Sequence, residues 1–131
     1  MNVAKHAELR VGPVTRTQIA RFAGAGGDFN PIHHDEEFAR AAGQPMVFAM
    51  GQLQAALLAR LAAEWLGADK LRSLSVRFTA KVWPGDELLL SGTIEREEVI
   101  DGERRATCAL CAVRVDGEEV ATGVVTACVT D

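Results

Sequence analysis

Asp28 and His33 stand five positions apart in the run Gly27-Asp28-Phe29-Asn30-Pro31-Ile32-His33-His34-Asp35. A carboxylate and an imidazole held on one short loop can manage the protons of a single water molecule. Histidine takes up a proton near neutral pH, and a nearby carboxylate can orient the same water and relay a proton. Adding water to a double bond, or removing it, needs that pair of roles. The double bond must also be polarised, as it is beside a thioester carbonyl whose oxygen meets a backbone N–H. Met50-Gly51-Gln52, at the predicted start of an apolar helix, offers unpaired N–H groups and a positive dipole end. Gly51 lets a ligand approach closely. A donor of this kind contributes on the order of 3 kcal/mol to a developing oxyanion.

The loop has the composition of a stiff support. Pro31 sets its own φ and biases Asn30 to an extended shape, while the Asn30 side chain can tie down neighbouring backbone. Taken singly, the same residues also admit plainer roles. Asp28 suits an Asx turn, His33 an ordinary loop or core histidine, and Gly51 a helix-start glycine. His34 reads as a surface residue before the Asp35 cap, and His6 falls in the N-terminal region.

The elements that must position these residues follow from periodicity. Ala7 to Val14 reads as a first strand, and Thr15 or Thr17 can cap a helix running to about Ala23. The glycine-rich stretch from Gly24 to Pro31 reads as a loop. Asp35 caps a second helix, with Glu36 and Glu37 at its positive end and Gly43 as its stop. Gly51 to Leu66 is a third helix, apolar around most of its circumference and therefore expected to be buried, and Gly67 ends it. The period then changes to two. Ser73 to Val82 alternates, with Leu74, Val76, Phe78 and Ala80 on one side, and Pro84-Gly85 turns the chain. Strands follow at Glu87 to Val99, Arg104 to Val115 and Glu119 to Val129, joined by Asp101-Gly102 and Asp116-Gly117 hairpin turns.

One buried helix followed by an antiparallel meander predicts an α+β hotdog fold, a sheet wrapped around a central helix, with residues 1–131 forming a single domain. An exposed edge strand is a pairing hazard, so a two-fold dimer is expected.

Composition narrows the function classes. The chain has 131 residues, 48% hydrophobic and 24% charged, the proportions of a soluble globular domain able to fold without disulfides or a metal. A net charge of −4 with scattered Lys and Arg points away from nucleic acid and from an anionic membrane surface. Met1 to Arg10 lacks the apolar core of a signal peptide, and the stretch Ala55 to Leu66 is too short and too charged to span a bilayer, so a cytoplasmic location is expected. Cys108 and Cys111 form a C-x-x-C, but positions three apart on a strand face opposite ways. No metal site and no cofactor are expected.

At the loop the sequence resembles the MaoC-like hydratase/dehydratase family, which includes R-specific enoyl-CoA hydratases. The resemblance runs from Phe22 to Asp28, through the D-x-N-P-I-H motif of Asp28 to His33, then Asp35, the short helix Glu36 to Ala42, Gly43, and Val47 to Leu53. It continues in Val76-Arg77-Phe78-Thr79-Ala80-Lys81-Val82-Trp83-Pro84-Gly85-Asp86, a strand followed by a P-G-D turn. It covers nearly all of the chain after Val14. The resemblance implies a hotdog dimer that hydrates trans-2-enoyl thioesters, or dehydrates 3-hydroxyacyl thioesters, of CoA or acyl carrier protein. It places Asp28 and His33 on the catalytic pair, Asn30 on the motif's supporting residue, and Gly51 on the glycine that holds the thioester oxygen. Many members read H-G-M at the helix opening, whereas this chain has Met50-Gly51-Gln52. Met50 and Gln52, with Val47 and Phe48, are thus candidate pocket-lining residues that would reshape the acyl site. Two other readings stay open: a non-catalytic or partner-dependent subunit of a heteromeric hotdog dehydratase, and an acyl-CoA thioesterase in which Gln52 orients water.

Overall fold

A computed structural model describes residues 3–130. Strand β1 (His6–Val11) leads into helix α1 (Arg16–Gly26), a 3-10 turn (Pro31–His33), helix α2 (Glu36–Ala41) and helix α3 (Gly51–Leu66). Strands β2 (Leu71–Phe78), β3 (Leu88–Ile100), β4 (Glu103–Arg114) and β5 (Glu119–Cys128) complete one antiparallel sheet in the order β1-β3-β4-β5-β2. Both hairpin turns sit at the expected dipeptides. Asp101 and Gly102 take φ of 53° and 76°, the left-handed pair that matches strand twist in a tight hairpin.

Helix α3 packs along the inner face of the sheet. Leu53, Leu57, Leu58, Leu61, Ala62 and Leu66 are buried against Leu88, Leu90, Cys108, Leu110 and Val125. Each of the large side chains contributes on the order of 2 kcal/mol by leaving water. Trp65 reaches the sheet at Gly92, where a Cβ would come within 2.5 Å of its ring, so the close approach depends on the missing side chain. Only Gln52, Ala56, Arg60 and Glu64, one stripe at helical spacing, remain exposed.

Three expectations are corrected. Helix α1 runs three residues beyond Ala23, to Gly26, and the left-handed Gly27 (φ 74°) ends it by donating its N–H to the Ala23 carbonyl. Two of the glycines assigned to the loop are therefore helical; Gly24 and Gly26 lie exposed, where a glycine costs little packing. Strand β1 stops at Val11, because Gly12-Pro13 leaves the ladder and Val14 instead donates its N–H to the Asp86 carbonyl. Strand β2 spans Leu71–Phe78 rather than Ser73 to Val82, and Leu74 and Phe78 on its expected inner side are 37% and 45% exposed. The alternation is present, but β2 is an edge strand and α3 covers only part of its width. Sequence period reports which residues share a face, not how far the neighbouring layer extends.

Cys108 is fully buried and Cys111 half-buried, and all three cysteines are free thiols. Among the described residues no helix is long and apolar enough to cross a membrane.

The start of β2 is tied to β4 by charge. Arg72 donates from Nη2 to Glu103 at 2.6 Å, and Arg105 reaches the other Glu103 oxygen at 2.6 Å. The Arg72 and Arg105 guanidiniums hold the Glu103 carboxyl at about 2, far below its ordinary value of 4.5. A folded-state pKa below the unfolded one stabilises the fold above the unfolded value, and the benefit is lost as pH falls toward the folded value. In thermal melts, the Tm difference between the native chain and Glu103→Gln is therefore expected to be constant above pH 5 and to shrink toward pH 2. A difference that stays level through that window would refute the assignment.

Candidate functional site

The loop between α1 and α2 is clamped by its own side chains. Asp28 donates its N–H to the Ala23 carbonyl, and its Oδ1 accepts the Asn30 N–H at 3.3 Å. Asn30 Oδ1 accepts the Ile32 N–H at 3.1 Å and caps the 3-10 turn, which has Pro31 at its first position. Asp35 Oδ1 accepts the Phe38 N–H and starts α2. Four consecutive turns, each closed by a local hydrogen bond, leave Asp28 and His33 little freedom. His34 is exposed and His6 pairs with Glu8 and Thr93 on β1 and β3.

This loop brings Asp28 and His33 together. His33 is 8% exposed, and its Nε2 lies 3.5 Å from Asp28 Oδ2. Its other nitrogen, Nδ1, lies 2.7 Å from the Phe48 carbonyl. A carbonyl oxygen only accepts, so Nδ1 must carry the proton and, in neutral His33, Nε2 presents its lone pair. Nε2 and Asp28 Oδ2 are then two acceptors facing each other, at a separation longer than a direct hydrogen bond. Two acceptors so placed can share one donor seated to the side of the pair, within hydrogen-bond distance of both. The Asp28 side chain is 44% exposed, so the pair opens to solvent. The His33 ring is packed edge-on against Phe48, with centroids 5.3 Å apart, and Phe48 in turn against Trp83 at 5.7 Å.

The segment carrying Phe48 is held from both sides. Val47 donates its N–H to Glu36 Oε2, and Glu36 Oε1 accepts from Arg16 on α1, whose guanidinium lowers the Glu36 pKa. Ala49 donates its N–H to the Val82 carbonyl at 2.8 Å. Three residues after Phe48, Gly51 opens α3. Met50 precedes it as the N-cap and supplies no side-chain acceptor; Leu53 donates its N–H to the Met50 carbonyl, while the Gly51 and Gln52 N–H groups have no partner among the described residues. A Cβ on Gly51 would lie 2.8 Å from the Phe78 ring, so glycine is what lets that ring pack against the opening of the helix.

A shallow cleft of about 330 Å³ borders that helix end, walled by Phe48, Gly51, Gln54, Phe78, Thr79 and Lys81, among others. Of the four candidate lining residues, Phe48 is in this wall. Val47 and Met50 are buried at 2% and 3%, in the core beside the cleft, and Gln52 is on the exposed stripe of α3. Lys81 Nζ lies over the Phe48 ring, 5.4 Å from its centroid. Neither Asp28 nor His33 is in the wall of this cleft, which His33 borders through its contact with Phe48; a larger depression of about 460 Å³ at the far end of the sheet, with Lys5, Glu95, Arg96 and Arg104, holds neither residue.

Sequence reasoning missed Gln54, Lys81 and the Arg114–Asp86 pair. Gln54 left one clear signal: a polar residue on the inward face of an otherwise apolar helix needs a partner. Arg114 left none, because its partners lie on other turns. It donates to Asp86 Oδ2 and to the Lys81 carbonyl, each at 3.1 Å, and to Glu118. Asp86 in turn accepts the Trp83 N–H at 2.8 Å and closes the Pro84-Gly85-Asp86 turn.

An antiparallel sheet curled about one buried helix, with an Asp–His loop near that helix's N-terminus, defines a hotdog protein. The MaoC like domain matches residues 4–115, and the chain belongs to that MaoC-like dehydratase family. Fatty acid synthase subunit beta of Aspergillus oryzae is 35% identical over 104 residues, 76% of this chain and 5% of that protein. The mitochondrial 3-hydroxyacyl-[acyl-carrier-protein] dehydratase of Arabidopsis thaliana is 32% identical over 95 residues, 67% of this chain and 57% of that protein. The chain thus spans less than two thirds of the length of these two relatives. Among solved structures, the ChsH1–ChsH2 complex of Mycobacterium tuberculosis superposes with a TM-score of 0.81 at 25% identity, covering 97% of each chain.

Proposed function

We propose that this protein is a hydro-lyase that adds water to trans-2-enoyl thioesters, or dehydrates 3-hydroxyacyl thioesters, of CoA or acyl carrier protein. The observation that carries the reading is the His33 tautomer. With Nδ1–H given to the Phe48 carbonyl, Nε2 is a base beside the Asp28 carboxylate, and one water seated to the side of the two can hydrogen-bond to both. In hydration, the water oxygen attacks the β-carbon as His33 takes one of its protons; that same proton is then passed, directly or by way of Asp28, to the α-carbon, and the second proton stays on the new hydroxyl. The negative charge that builds on the thioester oxygen is met by the Gly51 N–H and the positive end of α3. Dehydration is the reverse path through the same groups. The dehydratase name of the plant relative agrees with this chemistry.

The cleft lies against the end of edge strand β2, whose Phe78 forms part of its wall. We therefore read the working form as a two-fold pair of hotdog domains, or a heteromer with a second hotdog protein, in which the partner supplies the remaining wall. A heteromer gains support from the two-component ChsH1–ChsH2 assembly.

Loss of the conjugated thioester absorbance when the chain is mixed with crotonyl-CoA and longer enoyl-CoAs tests the activity. Release of free thiol instead would replace it with a thioesterase. Gly51→Ala is expected to lower kcat/KM at least about tenfold while the fold survives, because its methyl forces the Phe78 ring aside and shifts the bound thioester. Unchanged kinetics would remove Gly51 from the oxyanion role.

A further inference from the structure

Gln54 is the polar exception on α3: it is 2% exposed, and its fellow buried residues on that helix are leucines and Ala62. Its Nε2 donates to the Val120 carbonyl at 2.9 Å and to the Ala80 carbonyl at 3.2 Å. Two carbonyl acceptors engage both amide protons, and this also settles which end of the amide is nitrogen. Among the described residues no donor reaches Oε1. Nor is that oxygen sealed in: among the described residues the one fully enclosed side-chain polar atom without a partner is Arg114 Nε, and Gln54 forms part of the cleft wall beside Gly51.

The two residues share a helix face, three positions apart, and both meet the end of β2, Gly51 at Phe78 and Gln54 at Ala80. Three residues of α-helix rise about 4.5 Å. The Gln54 backbone therefore stands about one helical turn from the N–H groups that would hold a thioester oxygen, and both residues line the same cleft. A thiol of the pantetheine type carries its first amide N–H two methylenes beyond the sulfur, a comparable span. A simple alkyl thiol has no donor there.

We propose that Gln54 is a specificity residue whose amide oxygen accepts a hydrogen bond from the first amide N–H of the thiol arm, so that the cleft selects pantetheine-type thioesters. This rests on the thioester reading above. It assigns Gln54 a second role beside its structural one: Nε2 staples α3 to the segment just after β2 and to β5, and Oε1 reads the ligand. Glutamine suits this division, because one planar group presents two donors on one side and an acceptor on the other. Leucine of similar volume would fill the space and read nothing.

The test compares S-crotonyl-N-acetylcysteamine, which keeps the amide, with S-crotonyl-butanethiol, which lacks it. The native chain is expected to favour the amide-bearing thioester about fivefold in kcat/KM, the scale of one neutral hydrogen bond. In Gln54→Met that preference is expected to fall to about twofold or less, whatever happens to the absolute rate. A third substrate, a butanethiol thioester with a hydroxyl on the acyl chain, checks the other source of a donor. Preference for that compound alone would overturn the thiol-arm assignment. Binding of the matching unreactive thioethers, measured by calorimetry, reports the same ratio without turnover. Binding preference without any turnover would support Gln54 and sink the hydro-lyase reading; turnover of both crotonyl thioesters without preference would sink Gln54 alone. Should Gln54→Met fail to fold, the native ratio decides, and a ratio near one overturns the proposal.

Discussion

Asp28→Asn and His33→Ala are each expected to lower turnover of an enoyl thioester by about a hundredfold or more, with KM changed far less. The two substitutions act differently. Asp28→Asn keeps an acceptor for the Asn30 N–H, so the loop stays closed, but it removes the charge that orients the water. His33→Ala removes the base and leaves the Phe48 carbonyl without its Nδ1–H donor. The alanine variant should therefore also cost stability, on the order of 1–3 kcal/mol if no water replaces the donor, whereas the asparagine variant should not. If the two groups act on one water, the double variant is scarcely slower than the worse single one. Steady-state kinetics with crotonyl-CoA and thermal melts of the three variants check this. A well-folded single variant with near-native turnover would show that its residue lies outside the chemistry.

The largest expected effect on stability is at Arg114→Met. The Arg114 and Asp86 side chains are 11% and 19% exposed, and the guanidinium also holds the Lys81 carbonyl and Glu118. Its Nε lies 3.4 Å from Asp116 but out of line for a hydrogen bond, so that contact is a charge interaction only. Without Arg114, the Asp86 carboxylate keeps only the Trp83 N–H as a donor among the described residues. Breaking one half of such a partly buried pair costs on the order of 2 kcal/mol, or about 5–10 °C in Tm for a chain of this size. Because much of that cost is the stranded charge, Asp86→Asn added to Arg114→Met is expected to recover part of the loss. An additive double variant would show instead that the Arg114 bonds to Lys81 and Glu118 carry the effect. The consequence reaches the site, since the Pro84-Gly85 turn fixes Trp83 against Phe48, and Phe48 holds His33.

The tautomer of His33 marks the limit of what a linear reading can reach. Its position beside Asp28 depends on turns whose residues are neighbours in the chain: Gly27 ending α1, Asn30 capping Ile32, Pro31 setting φ, Asp35 starting α2. Each is a short-range preference, so the composition of the loop announces it. The acceptor on Nδ1 comes from Phe48, fifteen positions away, held by Glu36 on one side and Val82 on the other. Nothing in the sequence near His33 indicates which backbone carbonyl will meet its ring. Gln54 and Arg114 depend on packing in the same way: a polar residue on the apolar face of α3 hints at a need for partners and Arg114 gives no such hint, but in both cases the partners arrive only when the strands are folded about α3.

The sequence by itself determined the element types, the Asp-Gly hairpins, the apolar helix from Gly51 to Leu66 and the loop that keeps Asp28 near His33, because backbone preference and side-chain period act over a few residues. The tertiary structure decided which His33 nitrogen keeps its lone pair, that Leu74 and Phe78 on edge strand β2 stay partly uncovered, and that a buried glutamine lines the cleft beside Gly51. Those outcomes depend on where distant carbonyls and neighbouring layers come to rest, and only packing sets that.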